Sequence, residues 1–68
     1  MKVSEITIGR TYSKDTKLPF KTASRTVIEI VDGPASDVGK LVIYESDAII
    51  GQKCILLSSF AAWARRVL

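Results

Sequence analysis

The sequence predicts a mainly β domain: a small antiparallel barrel, or a strongly bent sheet of four to five strands, finished by a short C-terminal helix. Three observations carry that expectation. The chain has 68 residues, room for one small core and no second lobe, because a domain near this size buries only about 60% of the surface its unfolded chain exposes. Glycines and aspartates cut it into short pieces, and the pieces between them are rich in β-branched and apolar residues. Only the last eleven residues change from the two-residue period of strands to a helical period. Hydrophobic residues make up 47% and charged residues 25%, the balance of a folded domain and not of a disordered tail.

The first strand is expected over Ile6 to Tyr12, where Ile6, Ile8 and Tyr12 fall at even spacing and Gly9 allows a bend or bulge. Ser13 to Lys21 is polar, basic and interrupted by Pro19, so it reads as a long loop. Thr22 to Val31 ends in Val27-Ile28-Glu29-Ile30-Val31, the clearest strand in the chain, and Asp32-Gly33-Pro34 breaks it. Leu41 to Tyr44 is another continuous apolar strand. A turn over Asp47 to Gly51 follows, and then a further strand from Gln52 to Leu57.

The helix is expected at about 59–67, with Ser58 and Ser59 as candidate N-caps. Phe60, Trp63 or Ala64, and Val67 would form its apolar face, and Arg65 and Arg66 its last turn. At about two turns it is too short to survive alone, so packing onto the strands must hold it. An SH3-like barrel is the simplest closed form at this length, since closure leaves few exposed edges; an open sheet with the helix across one face is the alternative. Continuous apolar runs in the second and third strands imply burial on both faces, or a second copy covering the outer one, so self-association is expected.

Most chemistry is disfavoured by what the chain lacks. There is no histidine, and Cys54 is the only cysteine, so no intramolecular disulfide forms and no clustered Cys or His set is present to hold zinc or iron. Cys54, beside Ile55 and Leu56, is expected to be a core residue and not a nucleophile. No Gly-x-Ser-x-Gly elbow occurs, and the four glycines are dispersed with none opening a helix. The expectation is no enzyme activity, no metal and no cofactor. Neither a signal peptide nor a membrane span is evident, and the chain starts at Met1, so it reads as a complete small cytoplasmic gene product that stays off membranes.

Charge is the informative feature. The net charge of +3 conceals a local charge of +4 between Arg10 and Arg25, −4 between Glu29 and Asp47, and +3 from Lys53, Arg65 and Arg66. The first block proposes contacts to nucleic-acid phosphate by Arg10, Lys14, Lys17, Lys21 and Arg25, joined by Arg65 and Arg66. Tyr12 and Phe20 lie within it as candidates to stack on unpaired bases. The competing reading is a loop that is lysine-rich for solubility, with Tyr12 and Phe20 closing the core. The acidic middle suggests a protein partner instead, met through Glu29, Asp37, Glu45 and Trp63; on the core-facing side of a short amphipathic helix, however, a tryptophan such as Trp63 is more often structural.

A set of spaced residues carries a resemblance from Gly9 to Trp63: Gly9-x-x-Tyr12, then Arg25-Thr26-Val27 leading to Ile30, then Val42-x-Tyr44, Cys54, and Phe60-x-x-Trp63. In this order of features the chain resembles the small barrel proteins of unknown function that phages, prophages and other mobile elements encode. The resemblance implies an SH3-type barrel with an accessory role, touching nucleic acid or host proteins, and lends no catalytic residue. The long loop at Ser13 to Lys21 departs from the compact hairpin usual there. The expected function is therefore a non-enzymatic accessory module that binds DNA or RNA through its basic loop, or alternatively one that inhibits or redirects a host protein complex.

Overall fold

One antiparallel sheet organises the chain in the computed structural model, which describes residues 1–35 and 38–68. Among the described residues the elements are a 3₁₀ turn (Val3–Glu5), β1 (Thr11–Ser13), β2 (Arg25–Asp32), β3 (Lys40–Ser46), β4 (Ile49–Leu56), α1 (Leu57–Trp63) and β5 (Arg66–Val67). The strands lie in the order β4-β3-β2-β1-β5. β4 and β5 are the two edges and do not pair with each other, so the sheet is open and the expected closed barrel does not form. The architecture is mainly β, five antiparallel strands with one short C-terminal helix.

The β-branched runs place the central strands where the sequence expects them. Residues opposite one another in an antiparallel ladder share a face, so each register decides what is buried. Val27 sits opposite Tyr44, and Val42 lies between Ile30 and Ile55. Val27 and Val42 are fully buried and Tyr44 nearly so. On the opposite face Leu41 lies between Val31 and Leu56, and Ile43 between Glu29 and Cys54. Leu56 and Cys54 are exposed there. Cys54 is thus not a core residue. Its apolar neighbours in sequence resemble a buried run, but β4 is an edge strand and Cys54 points away from the helix side.

Ile28 has no partner, because the register slips between Val27 and Glu29; this bulge bends β2, leaving its first residues to pair with β1 as well as β3. A second slip between Glu45 and Ser46 falls opposite Gly51, whose φ of +98° is open to glycine and strained for other residues.

The two ends of the chain depart from expectation. The first strand is only Thr11–Ser13; Ile6 is buried, but Ile8 is exposed at a turn. There Gly9, at φ +88°, donates its N–H to the Val27 carbonyl, and the Val27 N–H donates to Arg10. The helix runs from Leu57 to Trp63 and not over 59–67, it begins directly after β4 at Leu56, and no side chain caps it, so Ser58 and Ser59 are not N-caps. Leu57, Phe60, Ala61 and Ala64 form its buried stripe at i, i+3, i+4 and i+7 spacing. At Ala64 the backbone turns extended. Arg66 and Val67 then pair with Ser13 and Tyr12 of β1 rather than ending the helix, and Val67 is exposed.

Phe60 is the centre of the core. Fully buried, it meets Tyr12 edge-on at 5.6 Å, Tyr44 at 5.6 Å and Trp63 at 5.5 Å between ring centroids. Burying each such side chain contributes about 1.5–3 kcal/mol, and this contact keeps a two-turn helix folded. The Met1 ammonium donates to the carbonyls of Ala61 (3.1 Å) and Ala64 (3.2 Å), adding a cation at the negative end of that helix.

Candidate nucleic-acid interface

The loop between β1 and β2 is tied down at both limbs. Asp15 accepts the Thr22 N–H at 2.6 Å through Oδ2, and its own N–H donates to Ser13 Oγ at 3.0 Å. The bond from Thr22 holds the Asp15 carboxyl below its ordinary pKa. From the other end of the chain, the Arg66 guanidinium donates to the Thr16 carbonyl at 3.1 Å and lies 5.4 Å from the centre of the Phe20 ring. The Arg65 N–H donates to the Ser13 carbonyl at 2.9 Å. These bonds are a direct result of β5 pairing with β1, and they bring residues 65–66 beside a loop fifty positions earlier in the chain.

The basic residues named from the sequence divide into two groups. Lys14, Lys17, Lys21, Arg65 and Arg66 are exposed and share one end of the sheet, at the loop and β5. Among the described residues the one ion pair, Lys40 with Asp32 at 2.8 Å, lies elsewhere and holds the Asp32 carboxyl below its ordinary pKa. Arg10 is exposed beyond the other end of β1. At about 3.3 Å per residue along a strand it stands about 13 Å from Lys14, flanking the group.

Arg25 belongs to the packing. Half-buried at the start of β2, its guanidinium lies 4.8 Å from the centre of the Tyr44 ring and 4.2 Å from that of Trp63. Cation–π attraction to two rings holds it there. Tyr12 also belongs to the core: it is fully buried, its hydroxyl donates to the Glu5 carbonyl at 2.9 Å and accepts the Thr7 N–H at 2.7 Å. No base can stack on it in this fold. Phe20 alone of the two aromatic candidates reaches the surface, half-buried in the wall of an open cleft.

That cleft, of about 490 Å³, lies between the loop, the β3–β4 turn and the end of the chain; Ser13, Phe20, Lys21, Ser24, Asp47 and Leu68 are among its lining residues. Ser24 Oγ donates to Asp47 Oδ2 at 3.3 Å, and the Asp47 N–H donates to the Ser24 carbonyl at 3.4 Å. Asp15, Ser24 and Asp47 were not legible as site residues, though a single aspartate inside a basic loop is the kind of signal that marks a loop clip.

The acidic residues lie on the sheet face away from the helix. Glu29 and Glu45 are exposed there, Glu45 accepting a bond from Gln52 Nε2 at 3.4 Å, while Asp37 lies outside the described residues. Trp63 is half-buried between Phe60 and Arg25 on the other side of the sheet, so it does not join them in one surface. Among the described residues no group of three or more His, Cys, Asp or Glu side chains is placed to hold a metal ion, and no helix is long and apolar enough to cross a membrane. Comparison of the chain with protein-family models, curated proteins and solved structures finds no match.

Proposed function

We propose that this protein is a non-enzymatic accessory module that binds nucleic acid through Lys14, Lys17, Lys21, Arg65 and Arg66. The observation that carries the proposal is the junction of loop and chain end: the Arg66–Thr16 bond and the β1–β5 pairing gather two basic segments, far apart in sequence, into one exposed cluster. A lysine-rich loop kept only for solubility needs no such anchoring. The Asp15–Thr22 bond pins the loop as well, so its lysines are presented with less entropy left to lose on binding. Phosphate contacts of this kind are sequence-independent and strongly salt-dependent.

The strand order, with the terminal strand returning to pair with the first and a short helix between β4 and β5, supports reading the sheet as an open relative of the SH3-like class; an origin in a phage or mobile element and work in the cytoplasm rest on the sequence reading alone. Titrating labelled duplex and single-stranded DNA and RNA at two salt concentrations tests the function. The expected result is binding at low salt that weakens as salt rises, and that the joint replacement Lys14→Ala, Lys17→Ala, Lys21→Ala weakens further. Binding that ignores both changes would remove the proposal.

A second reading is supported by the outer face of the sheet. Leu41, Ile43, Cys54 and Leu56 lie beside Glu29 and Glu45, and among the described residues no helix or strand lies across them. A host protein complex or a second copy of this chain would cover that face. Charge reversal at Glu29 and Glu45 would weaken such an association and leave nucleic-acid binding intact.

A further inference from the structure

We infer that the cleft beside Phe20 takes one unpaired base and that Asp47 makes guanine the preferred one. The inference rests on the nucleic-acid reading and narrows it from phosphate contact to single-stranded recognition. Three features of the cleft support it, each independent of the overall charge.

The first is shape. An opening of about 490 Å³ falls within the range of small-molecule sites and is too local for a duplex, whose bases are stacked inside. The second is the wall. Phe20 is the one candidate aromatic of the basic segment left accessible, half-buried in the cleft wall, so its ring offers a stacking surface for a splayed base, while the Arg66 guanidinium, 5.4 Å from the ring centre, lies outside the cleft lining. Lys21 lines the same cleft and supplies a cation to the phosphate of the nucleotide whose base enters.

The third is a carboxylate that lines the same cleft. Asp47 is exposed in the β3–β4 turn, and Ser24 Oγ occupies only its Oδ2, at 3.3 Å. A carboxylate accepts and does not donate. Guanine alone among the bases presents two adjacent donors, N1–H and N2–H, on its Watson–Crick edge, and so can meet both carboxylate oxygens in parallel. Adenine and cytosine offer one amino group beside an acceptor that faces the carboxylate oxygens, and thymine or uracil offers one N–H between two carbonyls. Lys21 cannot take this part, being a donor only.

The test is fluorescence anisotropy with a labelled ten-residue oligothymidylate, the same strand with one central guanine, the same strand with hypoxanthine there (N1–H kept, N2 amine lost), and a blunt duplex of equal length. The guanine strand is expected to bind about ten-fold tighter than the all-thymine strand, as one good bidentate pair provides, with hypoxanthine between them and the duplex weakest. Asp47→Asn, at an exposed turn position, is expected to erase the preference, so that the guanine and all-thymine strands bind alike. Phe20→Leu, which keeps apolar bulk and removes the stacking surface, is expected to weaken every single strand about ten-fold and leave the duplex unaffected. Equal binding of the guanine and thymine strands, a preference that survives Asp47→Asn, or a duplex bound as tightly as the single strands would overturn this inference while leaving the phosphate-binding proposal standing. Absence of binding to every probe at low salt would overturn both.

Discussion

Replacing Tyr12 by phenylalanine removes one oxygen from the middle of the fold and nothing else. That oxygen accepts the Thr7 N–H at 2.7 Å and donates to the Glu5 carbonyl at 2.9 Å, so it fastens the N-terminal turn to β1. Each bond contributes about 0.5–1.5 kcal/mol net, and the ring itself, fully buried against Phe60, is unchanged by the substitution. The expected loss is therefore about 1–3 kcal/mol. For a domain of 60–100 residues each kcal/mol moves the melting temperature by about 4–8 °C, so Tyr12→Phe should melt roughly 5–20 °C below the parent when followed by circular dichroism. Nucleic-acid affinity at a temperature where both are folded should not change. A melting shift below about 2 °C would show that the two bonds are unimportant, and a loss of affinity in a fully folded variant would return Tyr12 to the binding surface.

Phe60→Ala should be far more damaging, since it empties the contact among Tyr12, Tyr44 and Trp63; a loss of about 3–5 kcal/mol should leave α1 largely undocked by circular dichroism, and a cooperative melt close to the parent would contradict this. Arg25→Gln removes the cation between Tyr44 and Trp63 and should cost about 1–2 kcal/mol while shifting Trp63 fluorescence; an unchanged emission spectrum would count against the stacked guanidinium. Cys54, exposed on the edge strand, should react with a thiol reagent in native buffer at nearly its rate in denaturant, whereas strong native protection would place it under a partner. The Asp15 carboxyl, held below its ordinary pKa by the Thr22 N–H, binds its proton less readily folded than unfolded, so the loop clip is at full strength above that ordinary value and is lost as pH falls through the folded one. Carbon NMR should give Asp15 a midpoint below the ordinary aspartate value, with the Thr22 amide shift following it; a midpoint at or above that value would deny the clip.

The central strands were legible because Val27-Ile28-Glu29-Ile30-Val31 and Leu41-Val42-Ile43-Tyr44 fit little else. The ends were not, for tertiary reasons. β5 is two residues long and has no local signal; it forms because β1 offers it an unpaired edge, and that pairing converts the expected last helical turn into strand. Cys54 looked buried because its neighbours are apolar, but burial on a strand is set by register and edge position, which a single run does not reveal. In the candidate site, Lys14, Lys17, Lys21, Arg65 and Arg66 were recognisable by charge alone. Arg25 and Tyr12 were not separable from them, since only the fold shows that one is packed between rings and the other is closed inside the core. The cleft at Phe20 depends on a loop meeting a turn more than twenty residues away, a juxtaposition no local pattern encodes.

The most direct test of the central claim is the salt dependence of single-strand binding. With Lys14, Lys17, Lys21, Arg65 and Arg66 each neutralising one phosphate, the logarithm of the binding constant should fall against the logarithm of salt concentration with a slope of about −3.5. Lys14→Ala should make that slope shallower by about 0.7. Absence of binding at low salt, or a slope near zero, would contradict the account.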